Sequence, residues 1–80
     1  MPTVYRREGF EFRIYPADHD PPHVHAWRAG TFVKIGIGDT HQAPYPIGVT
    51  GMRTPDARRA IRIVEDQQEM FLERWREVHG

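Results

Sequence analysis

Phe10-Glu11-Phe12-Arg13-Ile14-Tyr15 points to a β-sheet as the first half of the chain. Its apolar positions Phe10, Phe12 and Ile14 alternate with Glu11, Arg13 and Tyr15, the period of two that marks a half-buried strand. Gly9 separates it from Thr3–Arg7, which predicts a tight hairpin. Downstream, Pro21 and Pro22 forbid a helix. His23–Arg28 then reads as a third strand, Ala29-Gly30 as a turn, and Thr31–Ile37 as a fourth strand with Val33, Ile35 and Ile37 on one face. Residues 38–53, punctuated by Gly38, Pro44, Pro46, Gly48 and Gly51, read as a long loop with room for a short extended piece near Ile47–Thr50.

Thr54-Pro55-Asp56 marks a helix start: Thr at the N-cap, Pro at the first helical position, an acid in the first turn. Ala57, Ile61, Val64, Gln68, Phe71, Trp75 and Val78 then recur at spacings of four and three. The stripe runs over about 22 residues, roughly 33 Å of helix, and Gly80 is a natural stop. The expected fold is α+β: an antiparallel sheet of about four strands with one long C-terminal helix packed on one face. We read residues 1–80 as a single domain, with strands in 1–37, a loop in 38–53 and the helix in 54–79. Trp75, Phe71, Val64 and Ile61 are expected in the core, and Ile63 and Met70 off the main stripe.

The composition narrows the function classes. Lys+Arg and Asp+Glu are each 11, and the resulting net charge of zero argues against a broad, non-specific nucleic-acid binder. Cysteine is absent, which removes disulfides and thiolate metal sites and suits a reducing cytoplasm. No run approaches the ~18 apolar residues of a membrane span, and Met1–Arg7 lacks the apolar core of a signal peptide. A chain of 80 residues buries a modest share of its surface, so a partner would add to its stability.

One helix covers only one face of such a sheet. Strand alternation puts Glu11, Arg13, Tyr15, His23, His25, Trp27, Phe32 and Lys34 on the other. Within this set Arg13, Trp27, Phe32 and Lys34 are binding candidates. Trp27 and Phe32 beside basic groups resemble a stacking platform for bases. Packing against the 38–53 loop, against a second copy in a homodimer, or against a protein partner accounts for the same residues.

His23-x-His25 has metal-ligand logic, because residues two apart on a strand point the same way with Cβ atoms ~6.5–7 Å apart. Asp18, His19, Asp20 and His41 are possible third ligands. Hydrogen bonds bracing the Pro-rich turn are the plainer role for His19 and His23. A His–Asp pairing could also orient an imidazole as a general base, which makes Asp18, His19, His23 and His25 the catalytic candidates. No Ser or Cys nucleophile accompanies them, and no cofactor is expected. Arg53, Arg58, Arg59 and Arg62 crowd the start of the helix, where its dipole disfavours cations. They are either a solvated face or a site for an anion or an acidic partner. Arg62 and Asp66 are spaced to pair, and Glu73 and Glu77 to repel. Gly36-Ile37-Gly38 is too little for a phosphate loop.

The string Tyr15-Pro16-Ala17-Asp18-His19-Asp20-Pro21-Pro22-His23-Val24-His25 is distinctive. With the opening Met1-Pro2-Thr3-Val4, the Phe10–Tyr15 strand and Trp75, it resembles a small bacterial family catalogued as domain of unknown function 4160. The hallmark is an aromatic strand running into Asp-His-x-Pro-Pro-His-x-His, matched without a gap by positions 18–25. The chain departs from the family in the Gly- and Pro-rich 38–53 loop and at Ala26, where members often carry a larger apolar residue. The resemblance implies a short stand-alone protein of bacterial or phage origin, often encoded beside another small gene. That implies in turn a toxin–antitoxin-like pair or a phage-encoded, CRISPR-inhibitor-like protein that acts by binding. Asp18, His19, His23 and His25 are the functional candidates it carries over. We therefore expect a small, non-catalytic cytoplasmic protein that binds a protein partner. A His- or metal-dependent nuclease, or nucleic-acid binding on the open face, is the alternative.

Overall fold

A computed structural model describes residues 2–80; Met1, part of the opening string of the resemblance, lies outside them. β1 (Thr3–Arg7), β2 (Phe10–Arg13), β3 (His23–Arg28), β4 (Thr31–Gly36) and β5 (Tyr45–Thr50) precede α1 (Thr54–Asp66) and α2 (Gln68–His79). The strands form one five-stranded antiparallel sheet in sequential order. Glu8-Gly9 and Ala29-Gly30 close the first two tight hairpins, all four residues at positive φ, as the twist of such turns requires. The class is the expected α+β, with a fifth strand and a divided helix as the differences.

β5 occupies part of the stretch expected to be a loop. It is an edge strand, exposed along most of its length, so it carries no alternating apolar signal. Pro46 is tolerated there because an edge leaves one row of backbone donors unpaired anyway. A register shift between Lys34 and Ile35 accommodates it. Gly36 pairs with Tyr45, whose ring lies where a Cβ on Gly36 would be.

The helix breaks at Gln67, whose φ of −120° and ψ of 29° leave the helical region. Its N–H is shared by the carbonyls of Ile63 and Val64 at 3.1 and 3.2 Å. Next to it, the Gln68 side-chain amide donates to the carbonyls of Ile37 at 2.9 Å and Gln42 at 3.1 Å. This polar tie to the β4–β5 connection is invisible to a hydrophobic period. The start also differs. Arg53 is the N-cap, giving its carbonyl to the N–H of Ala57 at 3.0 Å, and Thr54 is already helical, with no side-chain cap.

Phe10, Phe12, Ile14, Val24, Ala26, Val33, Ile35 and Ile37 are all buried, as strand alternation predicts. α1 seals them with Ala57, Ala60, Ile63 and Val64, and α2 with Phe71 and Trp75. Ile63 is therefore core rather than off the stripe, while Ile61 is half-buried at its rim and Val78 exposed. Phe71 meets Phe12 at 5.2 Å and Tyr5 edge-on at 5.6 Å between ring centroids. Asp66 takes Arg7 of β1 at 3.4 Å, in place of the expected Arg62. Glu77 takes Arg74 at 3.3 Å, which offsets its repulsion from Glu73. Among the described residues no helix is long and apolar enough to cross a membrane.

Candidate functional site

The segment between β2 and β3 is held by its own backbone. Asp18 N–H donates to the Tyr15 carbonyl at 3.0 Å, and Tyr15 N–H donates to Asp18 Oδ2 at 3.1 Å. Further on, the Pro22 carbonyl accepts from Ile37 N–H at 2.9 Å. The Asp20–Pro21 peptide is cis. The reciprocal Tyr15–Asp18 bonds fold the carboxylate back toward the start of β3.

There Asp18 Oδ2 lies 3.3 Å from His23 Nε2 and 4.0 Å from His25 Nδ1. His23 is 2% exposed, a correction to its expected place on an open face. As the first residue of β3, it sits where α2 reaches the sheet, and Trp75 meets its ring at 5.3 Å. His23 Nδ1 donates to the Pro21 carbonyl at 2.9 Å, since a carbonyl can only accept. In the neutral ring this leaves Nε2 with a lone pair. Among the described residues, Nε2 of His23 and Nδ1 of His25 are both enclosed and without a hydrogen-bond partner. Burial pushes His25 below its ordinary pKa; Asp18 opposes this, and His23 and Lys34 add to it. Its ring is therefore neutral at neutral pH.

The cluster continues into an aromatic array on the helix-free face. His25 meets Tyr15 edge-on at 5.1 Å and Phe32 at 5.6 Å, and Phe32 stacks on Trp27 at 4.5 Å. Arg13 lies over Trp27, 4.7 Å from its centroid. Expected to be exposed, Trp27 and Phe32 are half-buried, because each covers the other. Arg13 is not a free cation. Its Nε donates to Glu11 Oε2 at 3.0 Å, and its Nη2 makes a close ion pair to the same oxygen. Glu11 Oε1 also accepts from Thr3 Oγ1 at 2.8 Å and Arg6 Nη2 at 3.0 Å.

These bonds, Arg13's first and Thr3's next, hold the Glu11 carboxyl at about 2, against an ordinary 4.5. A depressed acid contributes stability above its unfolded pKa and loses it as pH falls through the folded one. Glu11 should therefore stay ionised through pH 4 and hold Arg13 over Trp27 there. Carboxyl-carbon NMR titration checks this: a Glu11 midpoint near the ordinary value would show that the Arg13 pairing does not persist.

The other candidates fall elsewhere. His19 and Asp20 are exposed on the loop, and His41 is exposed between β4 and β5, its N–H bonded to Asp39 Oδ1 at 2.8 Å. Lys34 is half-buried on the helix-free face. Arg53, Arg58 and Arg62 are exposed at the start of α1. Arg59 lies 3.9 Å from Asp56, which also takes Arg28 at 3.5 Å. Sequence reasoning did not connect the site to Trp75 or to the Pro21 carbonyl. Glu11 as the partner of Arg13 had a usable signal, two opposite charges two apart on one strand face.

The family model for a domain of unknown function (DUF4160) matches residues 9–76. The chain belongs to that family, and the match spans both the Asp18–His25 segment and Trp75. No curated protein and no solved structure matches the chain.

Proposed function

We propose that this is a small non-catalytic interaction protein that docks a protein partner on the helix-free face of its sheet. The observation that carries the reading is the Trp27–Phe32 stack at 4.5 Å under an Arg13 already neutralised by Glu11. Rigid aromatics held in place by neighbours lose little entropy on binding, and Trp and Arg are the usual anchors of protein interfaces. The same neutralisation disfavours a nucleic-acid platform, which needs free cations beside its rings. Lys34 is the cation on this face that no carboxylate pairs among the described residues. A toxin–antitoxin-like or defence/anti-defence setting, in a bacterium or its phage, is the one that the family resemblance implies.

The nuclease reading has one observation in its favour, the convergence of Asp18, His23 and His25. Incubation with single-stranded and duplex DNA and RNA, with and without added zinc, decides it. Cleavage abolished by Asp18→Asn would replace the binding reading with the enzymatic one.

The binding reading is tested with two double variants, each first shown to be folded: Trp27→Ala with Phe32→Ala, and Arg58→Glu with Arg59→Glu. The tagged chain is recovered from its own host, and its co-purifying proteins are quantified beside its mass in solution. Loss of one stoichiometric protein, or of a homodimer, in the first variant alone is expected, with affinity down at least tenfold. Binding lost in the arginine variant alone, and steeply salt-dependent in the parent, would move the site to the start of α1. Binding intact in both would remove both surfaces.

A further inference from the structure

We propose that Asp18 Oδ2, His23 Nε2 and His25 Nδ1 together hold one divalent transition-metal ion, with zinc the best fit. This goes beyond the platform reading and does not depend on it.

Three ligand atoms converge, all within 4.8 Å of one another. The Pro21 carbonyl accepts the hydrogen bond from His23 Nδ1, which turns Nε2 of the same ring toward the Asp18 carboxylate, 3.3 Å away. His25 Nδ1 approaches the same oxygen at 4.0 Å. Both ring nitrogens are enclosed and unpartnered, and His23 is 2% exposed. Enclosed polar atoms left without a partner are costly. A cation between them satisfies all three at once.

Bonds of ~2.0–2.2 Å in tetrahedral geometry place neighbouring ligand atoms roughly 3.4 Å apart. The Asp18–His23 separation is 3.3 Å and Asp18–His25 is 4.0 Å, with all three pairs within 4.8 Å, so the Asp18–His23 edge needs no rearrangement and the His25 ring moves inward to bind.

Metal-bound histidines characteristically donate their other N–H to a carbonyl or carboxylate, which fixes the tautomer. His23 does so to Pro21 O at 2.9 Å, and the Trp75 ring braces it at 5.3 Å. Asp18 Oδ2 is held by Tyr15 N–H at 3.1 Å. Two imidazoles and one carboxylate suit zinc and its first-row neighbours, whereas magnesium and calcium prefer oxygen ligands. Three protein ligands leave one coordination position for water or for a donor from another molecule.

The untagged chain, stripped with chelator and dialysed, is titrated with Zn²⁺ against a competing chromophoric chelator, and separately with Co²⁺ under absorption spectroscopy. One ion per chain is expected, with the visible bands of tetrahedral Co²⁺. Asp18→Asn and His25→Ala, both on partly exposed side chains and so compatible with folding, should each weaken Zn²⁺ at least tenfold. His19→Ala and His41→Ala should bind as the parent does. A parent that takes up no Zn²⁺ would mean that a shared proton, not a metal, bridges Asp18 and His23, and would overturn the proposal. Uptake that survives both Asp18→Asn and His25→Ala, or that is lost with His19 or His41, would overturn it equally.

Discussion

Gly38→Ala is expected to lower stability by about 2–5 kcal/mol, from two sources that add. Gly38 has φ of +72°, where an L side chain costs ~1–2 kcal/mol. A Cβ there would also overlap the carbonyl oxygen of Gln42 and approach the Ala43 carbonyl at 3.0 Å. The obstruction is backbone and cannot rotate away. Overpacking of this kind costs ~1–3 kcal/mol, and more where the neighbour is fixed. The neighbour here is fixed: Asp39 N–H donates to Gln42 O at 2.9 Å, and Gln42 N–H returns the bond to Asp39 O at 3.2 Å. Gln68 ties the same carbonyl to α2 at 3.1 Å. Gly30→Ala is the control, since Gly30 has φ of +78° but, among the described residues, nothing within 4 Å of where a Cβ would lie. Chemical denaturation of the two variants should therefore separate by at least ~1 kcal/mol, the steric share alone. Equal losses would mean that the 39–42 turn yields, and that the Gln68 tie does not hold the break between α1 and α2.

The extent to which such features could be read from the sequence follows from their periodicity. Phe10, Phe12 and Ile14 alternate, and so do Val33, Ile35 and Ile37; their burial was legible because a half-buried strand writes its two faces into the order of its residues. β5 writes nothing of the kind. As an edge strand, it has Pro46 and Gly48 where a central strand would need a donor and a side chain. The break at Gln67 depends on a glutamine amide reaching two carbonyls remote in sequence, and apolar spacing carries no trace of that. The site divides the same way. His23 and His25 share a side by strand parity. Asp18, His19, Asp20 and His41 remained equal candidates as third neighbour until the Tyr15–Asp18 bonds turned Asp18 inward. The aromatic face was legible as a set of residues. Its neutralisation by Glu11, which changes the partner it suits, depends on side-chain contacts that strand parity permits but does not fix.

Trp75→Ala should cost ~3–5 kcal/mol, the range for emptying a buried aromatic site. Against the ~4–12 kcal/mol that a domain of this length commands, that loss removes a large part of its stability. Trp75 is 6% exposed, its ring stacked on His79 at 3.8 Å and against His23 at 5.3 Å. It joins the core to the Asp18–His23–His25 cluster, so its removal opens space under the buried imidazole as well as under α2. Trp75→Phe separates the two roles. A smaller ring still seats α2 beside Phe71, and the expected cost falls to ~1–2 kcal/mol, while the brace on His23 is shortened. Denaturation followed by far-ultraviolet dichroism gives the stability. The ¹⁵N shifts of the His23 ring report whether Nδ1 keeps its proton on Pro21. The expected pair of results is a Trp75→Ala chain with its denaturation midpoint strongly lowered, and a folded Trp75→Phe chain whose His23 signals broaden or move. A Trp75→Ala chain within ~1 kcal/mol of the parent would place α2 off the sheet and remove the wall on which His23 rests. A Trp75→Phe chain with unmoved His23 signals would assign the orientation of that ring to the Pro21 carbonyl alone.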